Sequence, residues 1–343
     1  MISNGMKMSQ QETKEIPAAS PQAEGGRLVS ETKELFSFRS SKIPVIFIVG
    51  PTASGKTDAG IRLAKALNGE IVSADSRYLY RGMDIGTAKP SAEERRGIPH
   101  WLIDVADPDE TWSLSLFRKA ADEAILDINS RGKLPILVGG TGQYVRAILE
   151  GWTIPEGEPD PRLRTFLEDW GRMIGARELH KKLALLDREA AEKIDWQNMR
   201  RTVRALEVIF STGQKFSSQR TVKDPPYHSL IFGMKRERTE LYERIDRRVD
   251  QMIKQGLVEE TAGLLDRGYS PALPSMSAIG YKEICDYLNK KNSLEEAAQL
   301  IKFRTHNYVR RQANWFKASD PEINWIDPEA IVSEETLKKI GAF

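Results

Sequence analysis

Apolar and polar positions along this chain follow two periods in turn, and that alternation predicts an α/β fold. Short, β-branched apolar runs recur at 43–49, 70–75, 100–105, 135–140, 229–234 and 322–327. Runs of this kind read as strands buried on both faces of a parallel sheet. Between them the period lengthens. Residues 58–67 place Ile61, Ala64 and Leu67 on one side, and 116–125 and 145–149 also read as helices. In 239–249 and just beyond, Leu241, Ile245, Val249 and Met252 form one apolar stripe. Strands alternating with helices imply a parallel sheet covered by helices. Pro155, Gly157, Pro159 and Pro161 then make a linker-like stretch, after which 162–212 is helical in period without strand runs. The expected organisation is an α/β core from 42–151 and 227–330, with a helical insertion at 152–226. A tail is expected at 331–343, and the polar stretch 1–41, poor in apolar residues, reads as a disordered tail.

The first strand runs into Gly50-Pro51-Thr52-Ala53-Ser54-Gly55-Lys56-Thr57, which fits G-x-x-x-x-G-K-[ST] at every fixed position. Gly50 and Gly55 let the backbone curl so that several N–H groups can point at a polyphosphate. The helix opening near Lys56 adds unsatisfied N–H groups and the positive end of its dipole. Lys56 supplies a mobile charge for a terminal phosphate, and Thr57 a hydroxyl for a magnesium ion. A glycine-rich turn without a ligand is the plainer alternative, but strand, loop and helix stand in the order that phosphate binding requires. A phosphate-bearing substrate follows, of unspecified kind.

Other positions carry chemistry with a bland alternative beside each. Asp75 ends the second strand, at the edge where open α/β sheets bind ligands, and Asp75-Ser76 would also cap a helix. Segment 81–90 mixes glycines with charge and is either a binding loop or a surface connection. Thr141, in a second glycine-lined turn after the fourth strand, either binds substrate or caps the next helix. Arg200, Arg201 and Arg204 lie on an inserted helix, followed by Lys215, Arg220 and Lys223. They are a solvated face or a binding surface. Arg244 and Arg248 flank the apolar stripe at i, i+4 and could reach a pyrophosphate or pair with Glu240 or Glu243. Near the end, Lys302, Arg304, Arg310, Arg311 and Lys317 interleave with His306, Tyr308, Trp315 and Phe316. Cations among aromatics suit a nucleic acid, and the competing reading is a basic helix packed on its own core.

Composition narrows the setting. Lys and Arg number 51 against 49 Asp and Glu, so any nucleic-acid surface is local. The single cysteine, Cys285, excludes an internal disulfide framework, and four scattered histidines give no zinc cluster. No apolar run approaches the ~20 residues that cross a bilayer. The first 41 residues lack an apolar secretory core and carry Glu12, Glu15, Glu24, Glu31 and Glu34, unlike a transit peptide. A cytoplasmic location is expected.

Together these stretches resemble the tRNA dimethylallyltransferase (isopentenyltransferase) family. The match rests on GPTASGKT at 50–57, ADS at 74–76, YRGMDIGTAKP at 80–90 and VGGTGQY at 138–144. RALEV at 204–208, ELYERIDRRVDQM at 240–252, AIGYKE at 278–283 and RRQANWF at 310–316 continue it in order. The resemblance implies a P-loop NTPase-like parallel sheet with an inserted helical subdomain. It also implies transfer of a dimethylallyl group from dimethylallyl diphosphate to N6 of the adenosine beside the tRNA anticodon, tRNA position 37, by a monomer using magnesium. The loop at 50–57 would then cradle the diphosphate, with Thr52 and Arg248 in contact with it and Asp75 as general base. Asp75, Ser76, Arg77, Tyr78, Thr141, Arg164, Arg200, Arg201, Arg204, Ser277, Gly280, Tyr281, Lys282, Arg310 and Arg311 would contact tRNA. The chain departs from the family at Leu79, where glutamine is usual, at Gln143, and at His306, where arginine is common. Rival readings are a P-loop small-molecule kinase and a non-catalytic RNA-binding ATPase.

Overall fold

A computed structural model describes residues 42–152, 160–219 and 225–343. Its sheet has six strands in the order β3-β2-β4-β1-β5-β6, every neighbouring pair parallel. The strands are β1 (Ile43–Val49), β2 (Gly69–Ser73), β3 (His100–Trp101), β4 (Leu134–Gly139), β5 (Tyr227–Met234) and β6 (Ile323–Ile326). Strand β1 sits in the middle and is buried along almost its whole length, because Val45 through Val49 have no polar side chain to offer water. Its neighbours are β4, with Val49 opposite Gly139, and β5, with Val49 opposite Gly233.

Parallel neighbours need crossovers, and helices supply them. They include α1 (Lys56–Ala66), α2 (Leu114–Ser130) and α3 (Gly142–Leu149). Gly60 of α1 lies so close to β4 that a Cβ there would meet the Val138 methyl at 2.7 Å. Helices α4 (Pro161–Ile174), α5 (Ala176–Leu186), α6 (Arg188–Lys193), α7 (Met199–Thr212) and α8 (Phe216–Gln219) follow without a strand. They bury an apolar cluster of their own, built on Leu167, Leu179, Leu183, Val203 and Leu206. The chain then returns to the sheet through β5. Helices α9 (Arg238–Lys254), α10 (Leu257–Asp266), α11 (Tyr281–Leu288) and α12 (Leu294–Gln312) lead to β6 at the edge.

Two expectations are corrected. The run 100–105 is a strand only through Trp101, because Leu102 and Asp104 turn into the left-handed backbone region at φ 62° and 57°. Asp104 is diverted to an ion pair with Lys89. Residues 331–343 are no tail: helix α13 (Glu334–Ala342) follows a short 3₁₀ turn and buries Ile340, with Ile331 buried just before it. The stretch 1–41, Pro155, Gly157, Pro159, Arg220 and Lys223 lie outside the described residues.

Candidate active site at the carboxyl edge of the sheet

Strand β1 hands the chain to a loop that only this residue pattern permits. Gly55 adopts φ 90° before α1, where a side chain would be strained, and its carbonyl accepts the first helical bond from Ala59 N at 3.0 Å. Lys56 folds back to donate to Pro51 O at 3.2 Å. Burial lowers the Lys56 pKa to about 8, with Asp75 pulling it up and Arg248 pushing it further down. One ammonium thus feels both the candidate base and the candidate diphosphate clamp.

The next loop is held beside it by backbone pairing. Ala74 N donates to Val138 O at 2.8 Å, and Thr141 N to Ala74 O at 3.3 Å, which carries the sheet's pairing one step past β2 and β4. Gly139 has no room for a side chain here, since a Cβ would meet Ala74 O at 2.3 Å. Ser76 N donates to Thr141 Oγ1 at 3.1 Å, so Thr141 ties two loops together instead of capping α3. Asp75 Oδ1 accepts from Arg77 N at 2.9 Å, and among the described residues its other oxygen has no hydrogen-bond donor.

The segment 80–90 closes the third side. Its backbone amides at Asp84, Ile85 and Gly86 all donate to the Glu260 carboxylate, at 2.9, 2.8 and 3.1 Å. Tyr281 donates to the same carboxylate at 2.6 Å. Lys89 is buried and donates to Tyr80 O, Asp84 and Asp104. So braced, Ala88 presents its carbonyl to Tyr78 and to Arg248. Burial, then the charge of Asp75, pushes the Tyr78 hydroxyl up to about 12. A cleft of about 1090 Å³ opens between this segment, the phosphate loop and α9, with Lys56, Thr57, Tyr78, Arg244 and Arg248 on its walls.

The sequence pattern of IPP transferase matches residues 78–319, well over half of the chain. The chain belongs to the IPP transferase family. The pattern of isopentenyl transferase also matches, at 43–106. A tRNA dimethylallyltransferase from Thermomicrobium roseum is 49% identical over 284 residues, covering 83% of this chain and 86% of that one. Another, from a Roseiflexus species, is 51% identical over 275 residues, covering 80% and 90%. Among solved structures, the tRNA isopentenylpyrophosphate transferase from Bacillus halodurans matches with TM-score 0.64 and 43% identity, over 88% of this chain and 95% of that one. A eukaryotic dimethylallyltransferase acting on tRNA matches with TM-score 0.73 and 28% identity, over 88% and 77%. The P-loop NTPase-like sheet expected from the sequence is that of these IPP transferases.

In this IPP transferase the residues expected at RNA do not share one environment. Arg200, Arg201, Arg310, Arg311, Ser277 and Lys282 are exposed. Arg164 and Arg204 instead converge on Glu207, which is wholly buried, at 2.7 and 2.9 Å. Their first duty is to neutralise that carboxylate. Arg77 reaches back to Pro274 O and Ser275 O. Tyr281 is fully buried and cannot face RNA. Its ring fills the space that a Cβ on Gly86 would need, and its neighbour Gly280 is buried at φ 105° as the cap of α11. Leu79 is in the core, and it is Tyr78 beside it that faces the cleft.

The basic C-terminal run also divides. Lys302 pairs with Asp250 at 2.7 Å and Arg304 with the buried Glu283, while His306 lies 2.9 Å from Asp246 and stacks on Tyr242. These bind α12 to α9 and α11, as the competing reading held, and only Arg310, Arg311 and Lys317 stand clear. Arg244 lies 3.6 Å from Glu240, one of the two partners foreseen for it, and donates to Ala53 O at 3.0 Å in the phosphate loop. Two residues were not anticipated as site components: Glu260, and Gln312, which lies in the RRQANWF stretch. The available signal for Gln312 was a polar side chain at an inward helical position, Val309 being buried three residues earlier.

Proposed function

We propose that the chain transfers a dimethylallyl group from dimethylallyl diphosphate to N6 of the adenosine at tRNA position 37, releasing diphosphate. The reading is carried by one observation: Lys56, Thr57 and Tyr78 border both the cleft that Arg248 lines and the small cavity that Asp75 lines. A leaving-group cradle and a proton acceptor are therefore within one reaction's reach.

The chemistry follows from the charges. The N6 lone pair forms a bond to the allylic carbon as that carbon's bond to the diphosphate oxygen breaks. The electron pair leaves with the diphosphate, and Asp75 accepts the N6 proton. Lys56, Arg248, the Thr52 hydroxyl and the N–H groups of the loop take up the charge that grows on the departing oxygen. Excluding water protects the allylic cation character from hydrolysis. The adenine must leave its stack to enter. Exposed Arg200, Arg201, Arg310 and Arg311 are the phosphate-backbone contacts of this reading, with Ser76, Ser277 and Lys282 as further polar contacts.

Among the described residues no group of three His, Cys, Asp or Glu side chains is placed to hold a metal ion. The Thr57 hydroxyl on the cleft wall suits magnesium, which keeps several waters and takes other oxygens from substrate phosphates. When bound there, the ion would neutralise part of the leaving group's charge. No helix among the described residues is long and apolar enough to cross a membrane. A monomer acting in the cytoplasm completes the proposal.

The test is direct. With magnesium, labelled dimethylallyl diphosphate and unmodified tRNA, digestion should yield N6-dimethylallyladenosine. ATP-dependent phosphorylation of a small molecule with unlabelled RNA would instead establish the kinase.

A further inference from the structure

Gln312 closes α12 and is 4% exposed, so both ends of its amide must find partners inside the protein. They find the two glycine-lined loops of the site. Its Oε1 accepts from Thr52 N at 2.8 Å, and its Nε2 donates to Gly140 O at 2.9 Å. One partner can only donate and the other only accept, which settles the orientation of the amide. The fit is tight: a Cβ on Gly140 would lie 2.5 Å from Nε2, 3.1 Å from Gly50 O and 3.4 Å from the Lys56 side chain.

The same helix end braces the loop after β4 at two more points. The Tyr308 hydroxyl lies beside the Thr141 side chain. The Trp315 ring packs where a Cβ on Gly142 would stand, 2.1 Å from its Cγ. Only the Gln312 amide continues across to the phosphate loop. It also occupies the Thr52 N–H, so Thr52 has its hydroxyl, and not its backbone donor, to offer a ligand.

We propose that Gln312 is a positioning residue of the transfer reaction. Its amide sets the spacing between the loop that carries the diphosphate and the loop at Gly140–Thr141 that borders Asp75. It touches neither substrate. It acts through the Thr52 amide and through the room it leaves for the Lys56 stem. The inference rests on the proposed reading of the 50–57 loop as a diphosphate cradle.

The experiment separates this role from bulk folding. Full-length wild type, Gln312→Met, Gln312→Glu and Gly140→Ala are compared in three measurements: inorganic pyrophosphate affinity by calorimetry, anticodon stem-loop affinity, and steady-state transfer. Gln312→Met keeps the side-chain length and loses both hydrogen bonds. It should weaken pyrophosphate binding and raise the donor KM roughly 10- to 100-fold, as expected for two bonds lost and two buried groups left unpaired. Stem-loop affinity should stay within about twofold. Gln312→Glu keeps the acceptor for Thr52 N and should fall between. Gly140→Ala pushes the amide away from the other side, and its effect should not add to that of Gln312→Met. A folded Gln312→Met protein with wild-type pyrophosphate affinity and donor KM would overturn the proposal. Should that variant fail to fold, unaltered donor KM in Gly140→Ala overturns it equally. Wild type that binds pyrophosphate but prenylates no tRNA would refute the function, and a loss of pyrophosphate affinity in Gln312→Met would then still establish that the amide sets the spacing of the two loops.

Discussion

The Tyr78 hydroxyl and the Arg248 guanidinium donate to one acceptor, the carbonyl oxygen of Ala88, at 2.9 and 3.1 Å. Ala88 holds that carbonyl from a left-handed turn at φ 53°, in a segment whose amides are gripped by Glu260. Arg248 therefore meets the cleft with one nitrogen already anchored. Lysine at this position would keep the charge and lose the fork that serves both partners. Arg248→Lys should lower kcat/KM for the prenyl donor by about 10- to 100-fold, the value of a charge-assisted bond of 1.5–3 kcal/mol. Steady-state kinetics with varied donor, and unchanged stem-loop affinity, check it.

Asp75→Asn preserves an oxygen for the Arg77 amide and removes the proton acceptor. Single-turnover transfer should slow by roughly 10² to 10⁴, the usual contribution of a general base. Binding of tRNA, measured separately, should be retained. Equal loss of both would reassign Asp75 to RNA contact alone.

Burial holds Lys56 at about 8 against its ordinary 10.5, so its charged form is disfavoured in the folded chain. Between about pH 8 and 10.5 the unfolded chain binds the extra proton, and this group's contribution to folding stability improves as pH rises through that window. Anion binding runs the other way, because only the ammonium attracts a diphosphate. Pyrophosphate affinity should fall as pH climbs past about 8, by at most about tenfold per unit. Lys56→Met should weaken binding and flatten that slope, as calorimetry across the range would record.

Glu207 is the anion on which Arg164 and Arg204 converge, and it is wholly buried. Glu207→Ala would remove the buried anion shared by two partly exposed guanidinium groups, and about 1–3 kcal/mol of local stability should be lost from the α4–α7 region. Hydrogen exchange would locate the loss there, with pyrophosphate affinity unaffected. Arg200→Ala and Arg201→Ala, by contrast, should leave stability alone and reduce the salt slope of tRNA binding by about one each.

The sheet was legible because buried parallel strands are nearly pure apolar runs, and β1, β4 and β5 fall where those runs are. The phosphate loop was legible because its backbone needs restrict the residue types. What the sequence pattern hid were partnerships at long range. Arg204 and Glu207 stand at i, i+3 on one helix, but nothing local marks Arg164 as a second partner of Glu207, Lys302 and Arg304 as ion-paired to other helices, or His306 as packed on Tyr242. A charged run looks the same whether it faces water or a buried carboxylate. Tyr281 misled for the opposite reason: beside Gly280 it resembles a loop aromatic, yet its hydroxyl is spent on Glu260. The strand expected to reach 105 stopped at Trp101, because Asp104 was needed by Lys89.

The bond between Thr52 and Gln312 spans 260 positions of chain. As the ribosome extends the polypeptide, the glycine loop emerges among the first described residues. The amide that fixes its spacing is added only after β5 and α9 through α12. Closing so long a loop is entropically slow, and its reward arrives only when the late helix docks. A nascent chain thus carries a complete phosphate-loop motif well before it carries a finished phosphate site. The proposed diphosphate cradle takes its full shape only once translation has passed residue 312.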